Sequence, residues 1–196
     1  VEDNKQQRTG RWKLFAVIAI CAAPMIASYL TYFVIKPEGR TNYGSLLDPR
    51  TYPMPALGTT TLDGKAVVLD DYKGKWIMLQ VNDGDCQEPC QTKLYEMRQL
   101  RLTQGKDKDR IERVWLVTDN QPVETRLIRE YDGTHILRAN PNALKAWLPV
   151  DNGTTPADHI YMIDPLGNLM MRFPKDADPN KIKKDLNKLM KASRIG

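Results

Sequence analysis

Cysteine and histidine are scarce in this chain: three and two among 196 residues. That is too few for a zinc finger or an iron–sulfur ferredoxin. No glycine-rich loop of the phosphate-cradling kind occurs. There is no cysteine–histidine string for haem attachment, and no nucleophilic triad assembles. Nothing therefore points to nucleotide, haem or hydrolytic chemistry. Charge of one sign is not dominant either. Residues 1–40 hold six Lys/Arg against three Asp/Glu, and the remainder 23 against 21, for a net +5. So even a balance gives no footprint for nucleic acid. Repeats and low-complexity tracts are missing as well. With 41% hydrophobic and 27% charged residues, the composition is that of an ordinary globular chain. The length allows one compact domain plus an appendage, with a core that needs no disulfide to fold.

The appendage is legible first. From Leu14 to Ile35 no charged residue occurs for 22 positions, about 33 Å of helix, enough to cross a bilayer core. Arg8, Arg11 and Lys13 precede it, so residues 1–13 read as a cytoplasmic tail and everything after Lys36 as lying outside. A cleaved signal peptide would use the small residues from Ala22 to Ser28, but Tyr29 to Ile35 continues apolar beyond them. A buried globular helix is the other alternative, and an unbroken run of this length argues against it. Residues 14–35 are thus expected to be an uncleaved signal anchor, in which Pro24 is tolerated. Residues 36–55, punctuated by Pro37, Gly39, Gly44, Pro49, Pro53 and Pro55, read as a linker.

From residue 56 onward strands alternate with helices. Thr59–Leu62 and Lys65–Leu69 flank an Asp63-Gly64 turn, a predicted hairpin. Trp76 to Val81 is a buried strand, and Cys90, Leu94, Met97 and Leu100 recur at helical spacing after it. Val114 to Val117 is a second buried strand. Pro122 to Tyr131 and Asn142 to Leu148 are expected helices, and His135 falls between them in a loop-like stretch. Tyr161–Ile163 and Leu169–Phe173 flank an Asp164–Asn168 turn. Asp178 as N-cap and Pro179 open a last helix that buries Ile182, Leu186, Leu189 and Met190. Its other face carries Lys181, Lys183, Lys184, Lys188 and Lys191, read as solvated. This order implies an α/β three-layer fold of thioredoxin-like plan over residues 56–196, with the cysteines at the carboxyl end of a central strand.

Cys86 and Cys90 are the natural pair, since Cys21 sits in the apolar run. Placed on the first turns of a helix, positions i and i+4 have Cα atoms about 6 Å apart, within the span of a disulfide. Two thiolates so spaced also suit a soft cation such as Cu(I), and the helix N-terminus favours the thiolate form. Two buried core cysteines, or a purely structural disulfide, remain the plain alternative.

Several stretches resemble the Sco/SenC proteins: Asp63-Gly64-Lys65, Tyr72 to Trp76, Cys86 to Cys90 with its three-residue spacer, Gly105-Lys106-Asp107 and Val114 to Asp119. The likeness spans about residues 50–190. It implies a membrane-anchored thioredoxin fold that assists assembly of the dinuclear copper centre of cytochrome c oxidase. Copper, Cu(I) or Cu(II), would be held by Cys86, Cys90 and a histidine, for which His159 is the candidate. His159 stands about three residues closer to the following turn than the family pattern, where one residue of slip reverses a strand side chain. Gln91 replaces the family's usual proline, and Pro156 is the candidate cis-proline facing the cysteines. The implied partner is a terminal oxidase subunit, another copper or thiol-redox protein, or both. The implied place is the inner membrane, with the domain on the periplasmic side. A thiol–disulfide oxidoreductase, with Cys86 attacking and Cys90 resolving, and a non-catalytic interaction module with a structural disulfide are the rival readings.

Overall fold

The computed structural model describes residues 3–35 and 42–195. The first residues of the expected tail and positions 36–41 of the expected linker lie outside the described residues. The chain divides into two units at Thr41/Asn42. In the first, α1 (Asp3–Leu30) continues through a π-helical turn, Thr31–Ile35. Its Trp12–Val34 portion is long and apolar enough to cross a membrane. Pro24 is accommodated within it.

The second unit is built on a seven-stranded sheet of order β1-β7-β6-β3-β4-β5-β2. The strands are β1 (Ser45–Leu46), β2 (Thr60–Thr61), β3 (Trp76–Asn82), β4 (Ile111–Val117), β5 (Thr134–Arg138), β6 (Tyr161–Ile163) and β7 (Leu169–Arg172). The helices are α2 (Glu88–Leu102), α3 (Thr125–Glu130), α4 (Pro141–Trp147) and α5 (Pro179–Ala192). Strands β3, β4 and β5 run parallel; β6 runs antiparallel to β3, and β7 to β6. Side-chain alternation splits the core in two. Ile77, Leu79, Val81, Val114 and Leu116 face Leu144 and Trp147 of α4. Trp76 and Met78 face Met97 and Leu100 of α2 and Ile182, Leu186 and Met190 of α5. Trp115 and Val117 face Cys90 and Leu94 of α2 and Leu127 of α3. Three layers result, with β3 buried on both sides.

Three departures from the predicted elements concern the sheet. Thr134–Arg138, expected to be a loop, is a strand paired with β4. The predicted 59–69 hairpin keeps its turn, with Gly64 in left-handed backbone and Thr61 N–H donating to Lys65 O. Its first strand, however, pairs mainly with β5. Part of the expected linker joins the sheet as β1, beside β7. Asp185 holds that edge down: buried on the lysine-rich helix α5, it accepts from Tyr43 N–H at 2.7 Å and Gly44 N–H at 2.9 Å. A side chain at Gly44 would meet the Met171 sulfur at 2.6 Å, so only glycine lets the strand approach.

Removing the Asp185 carboxylate strands two amide donors. Asp185→Ala is expected to cost about 2–3 kcal/mol in urea unfolding, and to speed amide exchange at Tyr43 and Gly44 before the rest of the sheet.

Candidate functional site

Strand β3 ends at Asn82, and the next five residues turn the chain into α2. The turn is held from β4's side. Asp119 Oδ1 accepts from Gly84 N–H at 2.8 Å, and Thr118 Oγ1 donates to Asp83. Gly84 is close-packed: a Cβ there would lie 2.5 Å from Gln121 O. Cys86 follows, with φ of 29°, a backbone that costs a non-glycine residue about 1–3 kcal/mol. It lies two residues before α2 and not on its first turn as expected, because Pro89 sits in that first turn and sets the helix start at Glu88. Cys90 is inside α2. The two Cα atoms are 5.2 Å apart and the sulfurs are joined in a disulfide. Gln91, where the resembled family has proline, donates from Nε2 to Cys86 O at 2.9 Å and fixes the strained residue.

The sulfurs are not displayed. Cys86 is 1% and Cys90 2% exposed, packed with Leu94, Trp115, Val117, Leu127 and Tyr131. The three residues between them in the chain, Gln87, Glu88 and Pro89, are exposed. Beneath them, Gln80 Nε2 donates to Cys90 Sγ at 3.6 Å.

His159 is not brought to the sulfurs. Its backbone is extended, and alternation along 159–163 puts it with Tyr161 (ring centroids 6.0 Å apart) on the sheet face opposite Gln80 and Cys90. Both ring nitrogens are engaged: Nδ1 donates to Phe173 O at 2.8 Å, and Nε2 pairs with Thr154 Oγ1 at 2.7 Å. The residue is fully buried. His135 is remote as well, on β5 with Nε2 3.1 Å from Glu112 Oε2. Among the described residues no group of three or more His, Cys, Asp or Glu could hold a metal. The Cys86–Cys90–His159 ligand set is thus not assembled. Nor is Pro156 a cis-proline: the described residues contain no cis peptide bond, and Pro156 opens a short 3-10 turn, Pro156–Asp158.

A cleft of about 550 Å³ flanks the cysteine helix, lined by Glu88, Pro89, Lys93 and Glu96 of α2 and by Asp158 and Lys175 across from them. Burial pushes the Lys93 ammonium below its usual value despite Asp158, and its Nζ donates to Ala157 O. Burial likewise raises Glu96 against the pull of Lys93. Asp158 is held low, first by the Thr155 N–H it accepts. Sequence reasoning missed Gln80, Lys93 and Glu96. Only Gln80 carried a signal, as a polar residue inside an apolar strand.

Fold and site together define a membrane-anchored thioredoxin-like protein whose one sulfur pair closes a five-residue loop at the central strand's end. Residues 76–193 match the family model described as transmembrane-like, thioredoxin-like, C-terminal domain, and residues 4–34 the transmembrane-like N-terminal domain; the chain belongs to this family. No curated protein sequence matches it. Among solved structures, a SCO1/SenC family lipoprotein from Bacillus anthracis is 18% identical, with TM-score 0.55 over 74% of this chain and 99% of that one. Yeast Sco1 with copper bound is 15% identical, with TM-score 0.54 over 78% and 90%. A thiol:disulfide interchange protein from Bacteroides is 18% identical, with TM-score 0.52 over 77% and 91%. These likenesses establish the thioredoxin-like fold, with Sco structures among its neighbours.

Because Gly84 abuts Gln121 O, Gly84→Ala is expected to destabilise the domain by about 1–3 kcal/mol. It should also speed reduction of Cys86–Cys90 by dithiothreitol. Unchanged reduction kinetics would show that this loop does not guard the sulfurs.

Proposed function

We propose that this chain is a Sco-like assembly factor for cytochrome c oxidase. Anchored in the inner membrane by its N-terminal helix, it works on the periplasmic side through Cys86 and Cys90. The observation that carries the reading is the sulfur pair itself, brought together at the β3–α2 junction of a fold shared with Sco structures. Copper is its cargo. When the disulfide is reduced, one thiolate from the loop before α2 and one from its first turn form a clasp for Cu(I), a cation that selects sulfur. With His159 committed to Phe173 and Thr154, the clasp is sulfur alone, and the low coordination leaves room for an acceptor's ligands. The partner is the oxidase subunit that carries the dinuclear copper centre, or a protein upstream that supplies copper.

A second reading is favoured by the bond between the sulfurs and by the missing third ligand. In it the pair is a thiol–disulfide oxidoreductase that keeps a partner's copper-ligand cysteines reduced. Cys86, followed by the exposed Gln87, Glu88 and Pro89, attacks and Cys90 resolves.

Cu(I) titration of the reduced full-length chain in detergent separates these readings. Copper delivery requires a single tightly held Cu(I) that survives His159→Ala and is lost in Cys86→Ser. Catalytic reduction of a partner disulfide without copper retention supports the second reading. Neither activity would leave an interaction module with a structural disulfide.

A further inference from the structure

Gln80 stands inside β3 with no exposure, on the face opposite Leu79 and Val81. An apolar residue there would simply extend the strip made by Trp76 and Met78. A buried primary amide is costly unless its groups are paired. Its donor end lies 3.6 Å from Cys90 Sγ, and its acceptor atom Oε1 has no hydrogen-bond partner among the described residues. A disulfide sulfur is a weak acceptor, so the contact is poorly rewarded in the oxidised state. The same contact strengthens when the sulfur carries charge, and more so out of water.

We infer that Gln80 is a positioning residue for opening and closing the Cys86–Cys90 bond. Its amide N–H groups hold the Cys90 sulfur and stabilise the negative charge that arrives there. The inference rests on the thiol-exchange use of the pair proposed above. In closing, the Cys86 thiolate attacks a partner protein's disulfide; the partner's S–S bond breaks and one partner sulfur leaves as thiolate. The Cys90 thiolate then attacks Cys86 Sγ of the mixed disulfide, the Cys86–Cys90 bond forms, and the second partner sulfur leaves as thiolate. The partner gains two electrons and this pair loses two. In opening, an external thiolate attacks Cys86 Sγ, and the electron pair of the broken bond goes to Cys90 Sγ, where Gln80 donates; a second external thiolate then attacks the external sulfur of the mixed disulfide, and Cys86 leaves as thiolate while the two external thiols leave joined as a disulfide. Gln80 therefore favours the open form and speeds its formation.

The test is the equilibrium of the pair with glutathione and glutathione disulfide, in the full-length chain in detergent with Cys21→Ser to remove the third thiol. Gln80→Met, which keeps the shape and loses the donor, is expected to shift the equilibrium about tenfold toward the disulfide and to slow opening. Gln80→Leu, which also removes the donor, should shift it the same way. Should neither variant fold, the Gln80 side-chain amide nitrogen resonance in the unmutated protein must move when the pair is reduced. A folded Gln80→Met chain within about twofold of its parent, or an unmoved amide resonance, overturns the assignment while the exchange reading stands. A parent pair inert to glutathione overturns both.

Discussion

Everything at the sulfur pair hangs on β3 being buried on both faces. A strand packed against α4 on one side and against α2 and α5 on the other has no freedom to shift register. The turn that leaves it is therefore fixed in space by seven consecutive residues. Asp119 and Thr118 at the end of β4 grip that turn, and Pro89 fixes where α2 begins. The strained backbone at Cys86 is tolerated because both sides of it are anchored. Remove the rigidity of β3 and there is no reason for the two sulfurs to meet.

The same double burial explains the environment of the pair. Helix α2 carries Cys90, Leu94, Met97 and Leu100 on one face, so the sulfur enters the core with the leucines. Exposure is left to the three residues between the cysteines. The disulfide therefore lies in the core, with the Gln80 amide beside the Cys90 sulfur. The cleft beside Pro89, with Lys93 and Glu96 each pushed by burial toward its uncharged form, adds a second surface next to those three residues.

Much of this was legible in the sequence, and the exceptions have physical reasons. Strand β3, helix α2 and helix α5 announce themselves by period, because each buries a continuous face. Strand β5 did not: Thr134, His135 and Arg138 sit at half-buried positions, and the pairing comes from β4. Strand β1 is two residues long and exists because Asp185 and Gly44 dock it. Nothing in the sequence sets Asp185 apart on its lysine-rich helix, although its carboxylate is buried. Cys86 was placed on the helix, although Pro89 carried the signal for a start at Glu88. His159 precedes the right strand, but alternation along 159–163 puts it with Tyr161 on the face away from the sulfurs, a face that a sequence without known register does not fix. Gln80 was visible as an anomaly, but its meaning needed the sulfur beside it.

The central claim is that Cys86–Cys90 is a bond made to be broken, carried on a membrane-anchored thioredoxin fold. The most direct measurement is its midpoint reduction potential in the full-length chain. A midpoint above about −300 mV, in the range of exchanging pairs, is required. A value below about −300 mV would mark a structural disulfide and contradict it.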